Sequence, residues 1–120
     1  MIAIAAAAAP AQAATLKAFD QKAFAAAQAA GKPILVEVHA PWCPVCRAQG
    51  KVLAKLTANA AFDNLIIFRI DYDTQKALWQ RFGAQKQSTL IAFRGERETD
   101  RLSYQSDERR IAALLAATRG

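Results

Sequence analysis

The spacing of hydrophobic positions changes from segment to segment, and these changes predict alternating strands and helices. A continuous apolar run at residues 34–39 indicates a strand that is buried on both faces. Apolar positions three or four residues apart, as at Val52, Leu53 and Leu56, indicate a helix with one buried face. By these criteria the predicted strands are residues 15–18, 34–39, 65–70, 89–93 and 99–104, and the predicted helices are 20–30, 43–59, 75–82 and 107–118.

The order of these elements predicts one α/β domain with three layers. Each of the first three strands is followed by a helix, which is typical of a sheet covered by helices. The last two strands are separated by only a few residues around Arg94-Gly95-Glu96, so we expect an antiparallel hairpin. The prediction is therefore a mixed central sheet with helices on both faces. The chain has no internal repeat and no linker.

The composition agrees with a single domain and argues against nucleic-acid binding. The 120 residues are 53% hydrophobic and 22% charged, which is sufficient for a core that folds without a cofactor. Sixteen Lys and Arg against ten Asp and Glu give a formal net charge of +6, a balance that can indicate a nucleic-acid partner. However, the basic residues are scattered among acidic ones without a basic run. We expect a solvated basic surface and no nucleic-acid partner.

The N-terminal residues 1–13 are apolar, rich in alanine and without charge. They end in Ala11-Gln12-Ala13, a small-residue pattern that signal peptidases accept. We therefore expect residues 1–13 to be the remnant of a signal peptide, residues 14–120 to form the domain, and the protein to be periplasmic or otherwise exported. The usual positively charged start is missing, so an initiator further upstream, a trimmed sequence and a disordered tail stay open as alternatives.

The two cysteines, Cys43 and Cys46, stand where the predicted strand 34–39 gives way to a helix. Unpaired amides of the first turn and the helix dipole stabilise a thiolate there, so we expect Cys43 to ionise well below the ~8.5 of a free thiol. Cys46 lies about one turn further along the same face, close enough to attack a mixed disulfide on Cys43. Pro44 suits the first helical position. This pattern predicts reversible dithiol chemistry.

Two structural roles compete with this interpretation of the cysteines. A structural zinc site normally needs four ligands, but the chain has one histidine and no second cysteine pair. A static disulfide across so short a loop would constrain the unfolded chain very little. Both roles are therefore disfavoured relative to thiol-disulfide exchange.

Three stretches of the chain resemble the thioredoxin family, and the resemblance extends over residues 15–119. Residues 34–43, ILVEVHAPWC, resemble the central strand that leads into the family's tryptophan and nucleophilic cysteine. Residues 68–71 resemble the end of the next strand, and residues 82–95 resemble the loop and hairpin that face the active site. The segment 23–33 most resembles exported members such as the periplasmic domain of the thiol reductase DsbD. The resemblance implies a thioredoxin-like α/β/α fold, thiol-disulfide oxidoreductase activity and no cofactor.

The resemblance also implies roles for individual residues. Cys43 is similar to the family nucleophile and Cys46 to the resolving cysteine, while Trp42 is similar to the aromatic residue that shelters the pair. We expect Trp42 and Pro44 to contact the substrate. Glu37 stands where many members hold a buried acid, which would relay a proton to or from Cys46 through water. The alternative for Glu37 is a glutamate that faces solvent.

Ser88 is the largest departure from the family pattern. The family normally has a cis-proline here, whose backbone meets the substrate and whose ring shields the sulfurs. A cis bond before serine costs ~2.5–4 kcal/mol, so we expect the Gln87–Ser88 peptide to be trans, or cis and strained. Ser88 and Thr89 are predicted to line the substrate site. A hydroxyl near Cys43 would hydrogen-bond the thiolate or admit a metal.

Ser88 motivates a competing function, the binding or delivery of copper. In that function Cys43 and Cys46, with or without His39, would hold Cu(I), since thiolate and imidazole are ligands for such ions. His39 otherwise serves as a mild base or only packs. A redox-inert interaction domain is disfavoured because both cysteines are intact. In the principal interpretation no metal is bound, the substrates are protein thiols and disulfides, a membrane thiol reductase or oxidase is the electron partner, and the domain is a monomer.

Overall fold

The computed structural model describes residues 14–119, so the predicted signal remnant at 1–13 lies outside the described residues. Within this range strands and helices alternate as expected, with one short 3₁₀ turn at Ala60–Phe62. The strands are β1 (Thr15–Ala18), β2 (Pro33–His39), β3 (Ile66–Asp71), β4 (Thr89–Arg94) and β5 (Arg97–Ser103). The helices are α1 (Gln21–Ala29), α2 (Pro44–Thr57), α3 (Lys76–Arg81) and α4 (Glu108–Ala117).

In the described part of the chain, five strands form one mixed sheet in the order β1-β3-β2-β4-β5. Strand β3 is parallel to β1 and β2, whereas β4 is antiparallel to both β2 and β5. Strand β2 is therefore central, and its residues 34–38 are buried. Its branched apolar side chains suit a strand that is covered on both faces. The predicted three-layer α/β/α domain with a mixed central sheet is confirmed.

Alternate side chains of β2 point to opposite faces of the sheet and join two separate cores. Helices α1 and α3 cover one face, where the buried residues include Phe24, Ile34, Val36, Val38, Phe68, Ile70, Trp79 and Phe93. Helices α2 and α4 cover the other, where the buried residues include Leu35, Leu53, Leu65, Leu90, Ile111, Leu114 and Leu115. Each large apolar side chain contributes about 1.5–3 kcal/mol by full burial. Packing on both faces therefore holds β2 in place, including its C-terminal end at His39.

The boundaries of β2, β3 and β4 differ from those predicted by one residue, and β5 differs by two residues at its start and one at its end. Strand β5 begins at Arg97 rather than at residue 99, and a two-residue turn, Gly95-Glu96, connects it to β4. The first residues of β5 are charged and exposed at the sheet edge, so they lack the apolar signal of a strand. Strand β2 begins at Pro33, because proline is tolerated as the first residue of a strand.

The helix boundaries agree closely with those predicted. Asp20 caps α1, and its carboxylate accepts a hydrogen bond from the Ala23 N–H at 3.2 Å. Asp107 caps α4 in the same way through the Arg110 N–H at 2.9 Å. Among residues 14–119, none of the helices combines the length and apolar character needed to cross a membrane.

Candidate functional site

The two cysteines lie where β2 ends and α2 begins. Strand β2 ends at His39, and α2 starts at Pro44 with Cys43 as its N-cap residue. Cys43 has an extended backbone, with φ −87° and ψ 121°, so it stands just before the first turn, where unpaired amides are available. Cys46 follows within that turn. The predicted placement of the pair at a helix start is confirmed, although the helix begins one residue later than expected.

The Cys43 sulfur is surrounded by groups that donate hydrogen bonds. Ser88 Oγ lies 3.5 Å and Gln87 Nε2 lies 3.7 Å from Cys43 Sγ. Burial by itself raises the pKa of Cys43, but the Cys46 backbone N–H, Ser88, Gln87 and the Cys46 side chain together lower this pKa to about 7. A large fraction of Cys43 is therefore thiolate at neutral pH, and the thiolate is the form that attacks disulfides.

The Cys46 sulfur lies deeper, beneath the loop that precedes β4. It accepts a hydrogen bond from the Ala40 N–H at 3.5 Å, and it lies 4.0 Å from the Val38 carbonyl oxygen. Its nearest polar neighbour is Ser88 Oγ at 2.8 Å. Burial, as the largest cause, and the neighbouring Cys43 raise the pKa of Cys46. Both cysteines are free, so the structure represents the reduced pair, and the raised pKa of Cys46 favours its thiol form at neutral pH.

Ser88 approaches the sulfurs from the loop that precedes β4. No cis bond occurs in residues 14–119, so the Gln87–Ser88 peptide is trans, the first of the two predicted alternatives. Ser88 has a φ of +64°, a left-handed conformation that is uncommon outside glycine. The Ser88 N–H donates to the Val38 carbonyl at 2.8 Å. The Ser88 carbonyl accepts from Gln49 Nε2 at 3.0 Å and from the Tyr104 N–H at 2.9 Å.

The structure buries both loop residues that the sequence predicts to line the substrate site. Ser88 has no exposed surface, and Thr89 is 2% exposed. The Ser88 hydroxyl faces the sulfurs, whereas Thr89 Oγ1 donates to the Lys86 carbonyl at 2.8 Å. These side chains therefore support the site from within and present no hydroxyl to a protein partner.

The other two predicted substrate contacts stand on the surface beside Cys43. Pro44 is exposed, and Trp42 is 54% exposed. Trp42 Nε1 donates to both carboxylate oxygens of Asp73, at 2.9 and 3.1 Å, and the ring meets Tyr72 edge to face. These contacts hold a large aromatic ring at the rim of the site. Such an exposed ring is suited to contact with another protein.

Glu37 is buried as predicted, but its carboxylate has a partner that the sequence did not indicate. The residue is 2% exposed, and Arg69 Nε donates to Glu37 Oε1 at 2.6 Å. The two residues are aligned in the β2–β3 register. Beside them is a cavity of about 180 Å³, which Gly50 and Leu53 of α2 also line. Within the described residues Glu37 has no hydrogen bond to either sulfur, so its proton-relay role stays a prediction.

His39 does not form a metal site with the cysteines. Its Nδ1 is buried without a hydrogen-bond partner among the described residues. Burial, followed by the Arg69 charge, lowers the pKa of His39, while Glu37 and Asp71 act in the opposite direction. Across residues 14–119, no group of three or more His, Cys, Asp or Glu side chains is arranged to hold a metal ion. The copper-binding alternative is not supported.

Two residues that help to build the site, Gln49 and Arg69, were not predicted from the sequence. Gln49, buried in α2, donates to the carbonyls of Ser88 and Gln105 at 3.0 and 2.7 Å, and so ties the helix to the loop. The available signal was a polar residue three positions after Cys46, on the inward face of a helix. Arg69 is the second, and its pairing with Glu37 becomes visible only when the strand register is known.

The chain matches a known protein family over most of its length. A family model described as Thioredoxin matches residues 13–117. The thioredoxin of Alicyclobacillus acidocaldarius is 34% identical over 85 residues, which cover 71% of this chain and 80% of that protein. The protein disulfide-isomerase erp38 of Neurospora crassa is 40% identical over 70 residues, which cover 57% of this chain but only 19% of the isomerase.

Solved structures also resemble this chain. Trxlp from Edwardsiella tarda aligns with a TM-score of 0.80 at 39% identity, covering 84% of this chain and 98% of that one. A thioredoxin of Malassezia sympodialis aligns with a TM-score of 0.72 at 21% identity, covering 90% of this chain and 95% of that one. The second similarity supports the fold alone.

Proposed function

We propose, since the chain belongs to the thioredoxin family of thiol-disulfide oxidoreductases, that it exchanges the disulfides of exported proteins through Cys43 and Cys46. The observation that carries the assignment of roles is the contrast between the two thiols. The pKa of Cys43 is lowered to about 7, whereas the pKa of Cys46 is raised. A thiolate and a protonated thiol in contact can first capture and then release a substrate sulfur.

In the first step the Cys43 thiolate attacks a substrate disulfide. A bond forms between Cys43 Sγ and one substrate sulfur, the substrate disulfide breaks, and the other substrate sulfur leaves with the electron pair. Cys43 is only 1% exposed, so a neighbouring side chain has to move before the substrate reaches it. Gln87, half-buried and 3.7 Å from Cys43 Sγ, is the side chain that we expect to move aside.

In the second step Cys46 resolves the mixed disulfide. Cys46 Sγ loses its proton and attacks Cys43 Sγ, and the second substrate sulfur leaves as a thiol once it has been protonated. The cysteine pair is thereby oxidised by two electrons and the substrate is reduced. The reverse sequence oxidises a substrate dithiol, and a potential difference of 30 mV, which is ~1.4 kcal/mol, changes the balance with a partner about tenfold.

The surface around Cys43 offers a place for a protein substrate to dock. Trp42 and Pro44 are exposed next to the nucleophile, and Tyr104, which is 45% exposed, bonds through its N–H to the Ser88 carbonyl. Trp42 therefore offers an exposed ring beside Cys43, and Tyr104 belongs to a segment whose backbone is bonded to the Ser88 loop. In this proposal Ser88 and Thr89, which are buried, support the docking surface from beneath.

Catalysed reduction of insulin disulfides by dithiothreitol tests the activity. The reduced chain is expected to accelerate the reaction, and intrinsic tryptophan fluorescence in thiol buffers is expected to show a two-electron transition of the Cys43–Cys46 pair. Absence of acceleration, together with a pair that forms no disulfide, would contradict the proposed function.

Export, a membrane thiol reductase or oxidase as electron partner, and a monomeric state complete the proposal. Support for export comes from the apolar residues 1–13 and their Ala11-Gln12-Ala13 pattern. The narrower resemblance to the periplasmic domain of DsbD stays a prediction. In bacterial cells that express the full chain, the periplasmic fraction should contain a protein that begins at Ala14 and elutes as a monomer. An uncleaved chain confined to the cytoplasm would contradict export.

A further inference from the structure

The Ser88 hydroxyl has the two sulfurs as its only hydrogen-bond partners in residues 14–119. Ser88 Oγ lies 2.8 Å from Cys46 Sγ and 3.5 Å from Cys43 Sγ. Ser88 has no exposed surface, so bulk solvent cannot offer the hydroxyl another partner. A buried polar group needs a hydrogen bond to offset the cost of its burial. At this position the cysteine pair supplies it.

The backbone of Ser88 is held beside the cysteines by other parts of the fold. A left-handed φ of +64° is unfavourable for a residue with a side chain, and such conformations persist where surrounding interactions determine them. Here the interactions are the hydrogen bonds with Val38, Gln49 and Tyr104. None of these groups is a sulfur, so we expect the backbone position of Ser88 to be the same when the pair is oxidised.

The reduced pair satisfies the Ser88 hydroxyl whichever atom donates. Ser88 Oγ–H can donate to a thiol or thiolate sulfur, and Ser88 Oγ can accept from a thiol S–H. A hydrogen bond that ends on a thiolate is charge-assisted and therefore stronger than a neutral one. Each assignment of the two contacts leaves the hydroxyl with at least one sulfur partner in the reduced protein.

The oxidised pair is a poorer partner for the same hydroxyl. A disulfide carries no S–H to donate and no thiolate charge, and its sulfurs are only weak acceptors. The hydroxyl is buried and has no other partner in the described part of the chain. Leaving a buried donor unsatisfied costs free energy. The Ser88 hydroxyl therefore stabilises the reduced pair relative to the disulfide.

We infer that the Ser88 hydroxyl raises the reduction potential of the Cys43–Cys46 pair and thereby favours transfer of its disulfide to substrate dithiols. The inference rests on the proposed function, because it concerns the same cysteine pair, and it adds a direction to the exchange. A higher potential means that the pair accepts electrons more readily. The substrate class that this favours is a reduced protein with two thiols able to form a disulfide.

The favoured exchange uses the oxidised cysteine pair as the oxidant and the substrate dithiol as the reductant. One substrate thiol loses its proton and attacks Cys43 Sγ, the bond between Cys43 and Cys46 breaks, and Cys46 Sγ leaves with the electron pair and takes up a proton. The second substrate thiol loses its proton and attacks the first substrate sulfur, and Cys43 Sγ leaves as a thiolate. The pair has gained two electrons, the substrate has lost them, and one proton goes to solvent.

The reduction potential of the pair tests the inference. The wild-type chain, Ser88→Ala and Ser88→Gly are equilibrated in buffers of reduced and oxidised glutathione, and intrinsic tryptophan fluorescence gives the oxidised fraction. Both variants lack the hydroxyl, so the equilibrium constant for forming their disulfide should rise about tenfold, the effect of one net hydrogen bond, and the potential should fall by ~30 mV. A potential that is unchanged or higher in either folded variant would overturn the inference.

Two controls separate the hydroxyl from the backbone and from the loss of any serine. Glycine adopts a positive φ without strain, so Ser88→Gly should fold even if Ser88→Ala does not, and the potential should fall in both. Ser103→Ala removes a hydroxyl from β5 that lies 3.4 Å from Thr89 Oγ1 and contacts neither sulfur among the described residues. Its potential should equal that of the wild type, and a fall as large as that of Ser88→Ala would overturn the inference.

Urea denaturation of the reduced and oxidised forms gives an independent measurement. Substitution at residue 88 should not alter disulfide formation in the unfolded chain, so the change in potential has to appear as a difference between the two folded forms. We expect Ser88→Ala to destabilise the reduced form more than the oxidised form, by about the same tenfold factor in the unfolding equilibrium constant. Equal destabilisation of both forms would overturn the inference. A wild-type pair that forms no disulfide in any of the buffers would instead refute the proposed function.

Discussion

Cys43 and Cys46 are the same residue type, three positions apart at the start of one helix, and both are 1% exposed. The exposed fraction therefore does not distinguish the two residues. Cys43 stands at the N-cap of α2, where backbone and side-chain donors lower its pKa to about 7. Cys46 lies within the first turn, where burial outweighs its donors and raises its pKa. The comparison teaches that donors at the helix start outweigh burial at Cys43, whereas burial outweighs the donors at the deeper Cys46, and this balance divides the roles.

The loop that precedes β4 is what the two sulfurs share. Ser88 Oγ contacts both, but it lies closer to Cys46 than to Cys43. Gln87 of the same loop contacts Cys43 and makes no hydrogen bond to Cys46 among the described residues. The loop therefore adds to the difference that the helix creates, and changes in either element should alter one cysteine more than the other.

The largest predicted effect is the loss of disulfide exchange when either cysteine is replaced by serine, and the two replacements should fail at different steps. Cys43→Ser should reduce insulin-disulfide reduction to the rate without protein, because the attacking thiolate is missing. Cys46→Ser should keep the first attack and accumulate a mixed disulfide, since no thiol is left to resolve it. Non-reducing electrophoresis and mass spectrometry check the trapped species. A mixed disulfide on Cys46 in the Cys43→Ser chain, formed at a comparable rate, would reverse the assigned roles.

The next effect concerns the link between helix and loop. Gln49→Leu should lower the free energy of unfolding of the reduced protein by about 1–3 kcal/mol, because two hydrogen bonds worth about 0.5–1.5 kcal/mol each are lost, one to the Gln105 carbonyl and one to the buried Ser88 carbonyl. Urea denaturation followed by circular dichroism measures the change. Arg47→Ala, at an exposed position of the same helix, should stay within about 0.5 kcal/mol. Equal stability of both variants and the wild type would contradict the role of Gln49.

A smaller effect is expected at Glu37. Glu37→Gln keeps the shape of the side chain, and it should slow glutathione release from the Cys43 mixed disulfide by less than about tenfold. The reason is that the carboxylate bonds Arg69 and not Cys46. The rate of the first attack should be unchanged. A loss of about a hundredfold or more would show that the carboxylate, through water, carries the Cys46 proton.

The smallest predicted effect is at Gln87. Gln87→Leu removes a donor 3.7 Å from Cys43 Sγ, so the pKa of Cys43 should rise slightly and its alkylation at pH 6 should slow by less than about threefold. The rate is measured by quenching the alkylation at successive times and determining the alkylated fraction of Cys43 by mass spectrometry. Gln85→Leu changes an exposed residue of the same loop and should have no effect. A loss above tenfold in Gln87→Leu would mean that the side-chain amide, rather than the helix start, stabilises the thiolate.

The sequence predicts the fold well where apolar spacing reports burial. The run at residues 34–39 identifies the central strand because a strand covered on both faces is continuously apolar. The start of β5 is missed because Arg97 and Glu98 lie exposed on an edge, where no core selects apolar residues. Local signals such as Asp20 and Pro44 place the helix starts to within a residue, since caps depend on nearby atoms alone.

The candidate site likewise has features that the sequence predicts and features that it does not. The positions of Cys43 and Cys46 are predicted because their spacing and the helix start are local features. The trans peptide at Ser88 and the Ser88 hydroxyl between the sulfurs depend on contacts between distant segments, as does the pairing of Glu37 with Arg69. A substrate-lining role for the Ser88 and Thr89 side chains is plausible from the sequence, but tertiary packing turns both inward.

The pH dependence of Cys43 alkylation tests the central claim most directly. Reduced wild-type chain and the Cys46→Ala variant are treated with iodoacetamide between pH 5 and 10, and Cys43 carboxamidomethylation is followed by mass spectrometry. Below its pKa Cys43 is mostly thiol, so the rate should rise about tenfold per pH unit and level off above about 7, with Cys46 reacting only at higher pH. A midpoint near 9 for Cys43, or faster alkylation of Cys46 in the wild type, would contradict the account.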